Sequence, residues 1–267
     1  MKKKRKIMIQ KTKKTVIGLG TAILLSTPVL AIAINNAAEA VNIAGKQRMF
    51  TQRMLKDYAM VGMNNTFGKP DVDLKKIVDA FEDHLESLAK YTKNNETKQS
   101  LKKLETLWKP IRQTLLDIPN KEKVGKLQEN LEELLKAADN TTKLFAKEFG
   151  RESGEVVNIS GRQRMLSQRM ASLYMLKVWG VDDPQFTTKL NETMNLFKNS
   201  LNELEKSSLN TEEISALLAK VKRSFMFFEM MSRSNSKFVP TLIYKKSNDI
   251  LENMNSATQK YVAIQSK

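Results

Sequence analysis

Val41-Asn42-Ile43-Ala44-Gly45-Lys46-Gln47-Arg48-Met49-Phe50-Thr51-Gln52-Arg53-Met54 recurs 116 residues later as Val157-Asn158-Ile159-Ser160-Gly161-Arg162-Gln163-Arg164-Met165-Leu166-Ser167-Gln168-Arg169-Met170. Ten of the fourteen positions are identical, and the other four are Ala/Ser, Lys/Arg, Phe/Leu and Thr/Ser exchanges. Beyond Tyr58 and Tyr174 the match decays to shared apolar spacing, so the chain reads as two copies of one unit.

Working outward, each copy reads as four helices. In the first, the pattern places helices at about 36–64, 72–93, 98–118 and 121–149; in the second, at about 152–179, 185–207, 211–232 and 236–264. The breaks are marked by Asn, Asp, Gly, Ser and Pro, as in Asn94-Asn95, Pro119-Asn120 and Gly180-Val181-Asp182-Asp183-Pro184. The predicted fold is all-α: two tandem up-down four-helix bundles, residues 34–150 and 151–267. An even number of helices returns the chain to its starting end. The first helices of the two copies should therefore run parallel, related by a pseudo-twofold axis, with Phe149 to Gly154 forming the reversal.

The 267 residues include 10 Gly and 6 Pro, which suits a helical globular chain. There is no Cys and a single His, so thiolate metal sites, thiol nucleophiles and disulfides are excluded, and acid–base chemistry has little material. No nucleophile–base set or phosphate loop is present, and the expectation is a non-enzyme with no cofactor and no metal. The formal charge of +16 misleads at first sight: eight basic residues and no acidic ones sit in the first 14 positions, leaving +8 for the remainder. That remainder lacks the concentrated basic stripe with aromatics that nucleic-acid binding needs.

Met1 to Lys14 is a basic run, Val16 to Ser26 an apolar one, and Pro28 to Ala33 offers small residues for cleavage after Ala31 or Ala33, with a later site after Ala40. This is the grammar of a signal peptide over residues 1–33. The alternative is an uncleaved anchor, because 15–34 is just long enough to cross a bilayer core of about 30 Å. On either reading the remainder is periplasmic: free when the leader is cleaved, held at the inner membrane when it is not.

Projected on a helix, Ile43, Phe50, Met54 and Val61 make one apolar stripe facing the bundle's own core, and Val41, Gly45, Arg48, Gln52 and Leu55 make another on the far side. Glycine inside a helix costs about 1 kcal/mol relative to alanine, and close approach of a second helix would justify Gly45 and Gly161. If the two far stripes meet, Arg48 and Arg164 converge. Their mutual repulsion would then be relieved by water, by a protein carboxylate or by a small anion, and guanidinium forks suit planar oxyanions. Asn42, Gln47, Gln52 and their counterparts Asn158, Gln163 and Gln168 offer further neutral donors. No Asp or Glu lies between Val41 and Lys56 or between Val157 and Leu176, which favours the exogenous anion.

These motifs resemble the N-terminal sensor domain of type IV pilus methyl-accepting chemotaxis transducers, the PilJ-like domain, with its Asn-x-Ala-Gly-x-Gln-Arg-Met-x-Ser-Gln-Arg-Met pattern. They are also similar to the ligand box of NarX-type nitrate/nitrite sensor kinases. The resemblance implies that first helices pair and that the arginine after the glycine, here Arg48 and Arg164, binds nitrate or nitrite at their interface, with Gly45 and Gly161 at the glycine positions. Ser160 stands where Ala is usual, Thr51 where Ser is, and Lys46 and Arg162 add positive charge where the kinases have a small polar residue. Family receptors continue into a second membrane span and a transmitter, and this chain stops at Lys267. The expectation is an exported binding protein without its own transmitter, whose ligand state is read by a membrane receptor or kinase. The alternative is a structural protein scaffolding an envelope, chemoreceptor or type IV pilus-associated complex, with protein carboxylates neutralising the arginines.

Remaining residues read as structural. Arg53 and Arg169 lie about 140° from the first arginines and suit solvated or interhelical roles. Met49, Met54, Met60, Met63, Met165, Met170 and Met175 fall at core spacing rather than forming a copper site. Trp108 and Trp179 anchor core or loops, and His84, beside Asp83 and Glu86, reads as solvent-facing.

Overall fold

The computed structural model describes residues 32–150, 152–233 and 239–265. The expected basic and apolar leader segments, and the expected start of the last helix at 236, lie outside the described residues. Among those described there is no strand. The elements are α1 (Ala37–Gly62), α2 (Pro70–Tyr91), α3 (Asn95–Leu116), α4 (Val124–Phe149), α5 (Glu152–Val178), α6 (Phe186–Glu205), α7 (Glu212–Arg233) and α8 (Pro240–Gln265). No helix among them is long and apolar enough to cross a membrane.

Local chemistry sets the boundaries. Asn36 caps α1 by accepting from the Glu39 backbone N–H at 2.9 Å, while the Glu39 carboxylate accepts from the Asn35 backbone N–H, a reciprocal arrangement that satisfies donors at the helix start. Pro70 opens α2, Asn94 caps α3 through the N–H groups of Glu96 and Thr97, and Gly150 ends α4 in the left-handed region at φ 64°.

Packing then closes two rings. α1 packs on α2 and α4, and α3 joins α2 to α4; α5 packs on α6 and α8, and α7 joins α6 to α8. Each ring is a four-helix bundle. The broadest contact in the molecule is between them, where α1 lies along α5. Partners step along both helices together: Gly45 with Gly161, Gln52 with Ser172 and Gly62 with Trp179, as parallel helices require.

Because α1 is packed on opposite sides, 20 of its 26 residues are buried, including Gln47, Arg48, Thr51, Gln52, Lys56 and Asp57. Packing on both sides, not an apolar surface all round, carries these polar side chains into the interior. The outer helices keep one apolar stripe, such as Leu101, Leu104, Trp108, Ile111 and Leu115 of α3. Equivalent aromatic pairs fill the two bundles: Phe81 stacks on Trp108 with centroids 4.3 Å apart, and Phe197 on Phe225 at 4.5 Å. The tyrosine after each motif holds a loop, the Tyr58 hydroxyl accepting from the Asn120 N–H at 3.0 Å and that of Tyr174 from the Val239 N–H at 2.8 Å.

The methionines are core, as expected, with Met54, Met60, Met170 and Met175 fully buried. Arg53 makes a bidentate pair with Asp73 at 2.7 and 2.8 Å, and Arg169 binds Glu132 at 2.9 Å, both interhelical. The reading of His84 is corrected: it is 3% exposed and lies against the Phe50 ring, with centroids 5.1 Å apart. Burial first, then Lys46 and Arg164, pushes its pKa down to about 3, so it packs as a neutral ring.

Candidate functional site

The two glycines face each other between α1 and α5. A methyl group built on Gly45 would stand 4.0 Å from the Gly161 Cα, and one built on Gly161 would stand 3.9 Å from the Gly45 Cα. The two guanidiniums fill the space that those methyl groups would need. A methyl on Gly161 would meet Nη2 of both Arg48 and Arg164 at 3.1 Å; one on Gly45 would meet them at 3.4 and 3.5 Å. Two like charges therefore share one spot between the helices, 0% and 1% exposed.

Each arginine is held the same way. Nη2 crosses to the other copy: Arg48 donates to the Asn158 carbonyl at 3.0 Å, and Arg164 to the Asn42 carbonyl at 3.4 Å. Nη1 turns to the fourth helix of its own bundle: Arg48 donates to Asp139 Oδ1 at 2.7 Å, and Arg164 to Asn255 Oδ1 at 3.0 Å. The Nε of both arginines and the Oδ1 of both Asn42 and Asn158 are buried without a hydrogen-bond partner in the protein. Buried polar atoms are seldom left so, and those that are call for an explanation such as a bound water or ion.

The charges do not balance. Asp139 faces Arg48, and its carboxyl is held below the ordinary range because Arg48 and Lys143 outweigh the opposing effect of burial. No carboxylate is paired with Arg164 among the described residues. Burial, and next the Arg48 charge, push its pKa down to about 9, which still leaves it cationic at neutral pH. Lys46, half-buried, is also held low by burial and then by Arg164, and Arg48 feels Arg162 in the same sense. The absence of local acids did not carry through to the fold, because Asp139 arrives from α4.

The glutamines are placed differently from the expectation. Gln47 and Gln163 turn into their own bundles, donating to the carbonyls of Phe81 at 3.0 Å and Phe197 at 2.9 Å. Gln52 donates to Glu132 at 3.1 Å and accepts from Ser172 at 3.2 Å; Gln168 donates to the Ser247 carbonyl at 3.0 Å and accepts from Lys56 at 2.8 Å. In each of them the side-chain amide ties one helix to another. A 3.6-residue period puts Gln52 on the arginine's face without saying which neighbour it meets.

Sequence reading missed Asp139 and Asn255, each 91 residues after its arginine. The same repeat offset that aligns the motifs aligns these two, so a comparison of fourth helices would have found them. Also missed is a buried cluster below the arginines: Lys56 Nζ donates to Gln168 and Asn248 at 2.8 Å each, lies 4.1 Å over the Tyr244 ring, and sits 3.8 Å from Asp57. Burial raises the Asp57 pKa to about 8 and lowers that of Lys56 to about 8. A groove of about 700 Å³ between α2 and α3, around Leu85, Leu101 and Trp108, shares no residue with the arginine pair.

The family model for the type IV pili methyl-accepting chemotaxis transducer N-terminal domain, PilJ, matches residues 32–143 and 149–225. The chain belongs to this family. The first matched segment runs from α1 into α4 and the second covers α5, α6 and part of α7. One match falls on each bundle, as two tandem copies of the family's sensor-type domain would give, and each match contains a motif helix. No curated protein and no solved structure gave a match.

Proposed function

We propose that this PilJ-family chain is a periplasmic ligand-binding protein that recognises a small oxyanion, nitrate or nitrite, between α1 and α5, with Arg48 and Arg164 as its principal ligands. The observation that carries this reading is Arg164: a fully buried guanidinium with only neutral acceptors and a second guanidinium beside it. A buried charge is costly unless countered, and an oxyanion would supply both the charge and acceptors for the idle Nε donors. Gly45 and Gly161 give the two guanidiniums the room that they occupy between the helices. Asn42 and Asn158 act through their main-chain carbonyls, which orient the guanidiniums, and Gln52 and Gln168 by holding the surrounding helices. The basic and apolar N-terminal run supports export, and a membrane receptor or kinase would read the ligand state.

The Arg48–Asp139 pair favours a second reading, in which the arginines are structural and the fused bundles scaffold an envelope, chemoreceptor or type IV pilus-associated complex. Calorimetric titration with nitrate and nitrite, against chloride and sulfate, separates the two. Saturable binding lost in Arg164→Ala and weakened in Arg48→Ala is expected. Absence of heat and of any thermal shift in a folded sample would leave the scaffold.

A further inference from the structure

The two halves of the site differ in one charge. Arg48 Nη1 meets the carboxylate of Asp139, and Arg164 Nη1 meets the amide of Asn255, two groups of nearly the same shape. Asp139 already occupies one arginine. Its other oxygen binds Lys143 at 2.7 Å, which is largely exposed and therefore screened by water. Arg48, Arg164 and Asp139 together leave one buried positive charge without a counterion.

Resting on the anion reading above, we infer that Asp139 is a built-in carboxylate that fills the Arg48 half of the site, so that the pair takes one monovalent anion at Arg164 and rejects divalent oxyanions. A single negative charge brings the dry centre to neutrality. A second would face the Asp139 carboxylate, with Arg48 already paired to that acid. Lys46 and Arg162 keep part of their surface in water and attract anions from outside without replacing a buried partner. Asn255 is then the open side of the site and Asp139 its closed side.

The test exchanges the two side chains. Nitrate and sulfate are titrated calorimetrically into the full chain, into Asp139→Asn and into Asn255→Asp, in chloride-free buffer, with the melting temperature followed in parallel. Asp139→Asn should tighten nitrate binding by at least about tenfold and admit sulfate. Asn255→Asp should abolish nitrate binding while raising the melting temperature of the ligand-free chain, because the new carboxylate neutralises Arg164. That pair of opposite effects distinguishes a filled site from a misfolded one, and Asp139→Ala serves if Asp139→Asn does not fold. Unchanged nitrate affinity and continued exclusion of sulfate in Asp139→Asn, or nitrate binding that survives in Asn255→Asp, overturns the inference and leaves the anion site standing. Failure of the full chain and of every variant to bind either anion overturns both.

Discussion

Asp139 and Asn255 stand at equivalent places in the two bundles, each accepting a hydrogen bond from the buried arginine 91 residues before it, yet one is charged and the other neutral. The two arginines should therefore answer differently to removal. Arg164→Met takes away a buried cation that has no carboxylate and should stabilise the ligand-free chain, by about 1–3 kcal/mol. Arg48→Met breaks an ion pair whose acid is partly solvated and should cost about 1–2 kcal/mol. Urea denaturation of both variants without anion measures this; shifts of the same sign would contradict the asymmetry.

The glycines should also part company. Alanine at Gly45 meets its neighbours at ordinary van der Waals distance and should gain up to about 1 kcal/mol of helix propensity. Alanine at Gly161 would press both guanidiniums at 3.1 Å, and hydrogen bonds pin each of them, so a net cost of about 1–2 kcal/mol is expected. Thermal melts of the two variants decide it.

Asp57 is buried, and that burial, with Asp73 beside it, raises its pKa to about 8. A raised carboxyl pKa means that the folded chain holds a proton the unfolded chain has lost, so stability falls as pH climbs from about 4 to 8. Asp57→Asn removes that loss. Its melting temperature relative to wild type should rise steadily between pH 5 and pH 8, and a flat difference across that window would refute the assignment.

The halves, expressed separately, should self-associate through the exposed far face of α1 or α5. Residues 34–150 would bring two Arg48–Asp139 pairs together, whereas residues 151–267 would bring together two Arg164 side chains with only amides. Light scattering after size-exclusion should find the first half dimeric at lower concentration than the second.

Much of this was legible in the chain. The 3.6-residue period and the Asn, Gly and Pro breaks placed the eight helices among the described residues within a few residues at the ends that are described, since amphipathic stripes and caps are local properties. Gly45 and Gly161 announced the close approach, because little else justifies glycine there. Partners from distant helices were not legible: Asp139 lies far along the chain from Arg48, and only the closing of the ring brings α4 against α1. His84 misled for the same reason, since its acidic neighbours in sequence occupy a different side of α2 from the one that meets Phe50.

The covalent joining of the two bundles has a consequence for how such a protein can change. In a dimer of identical subunits, every substitution at the interface happens twice, and an acid placed beside one arginine would appear beside both. Fusion releases the two sides from that obligation. Asp139 could be kept on one side and Asn255 on the other, so a duplicated gene gained access to a lopsided interface that no pair of identical chains can build.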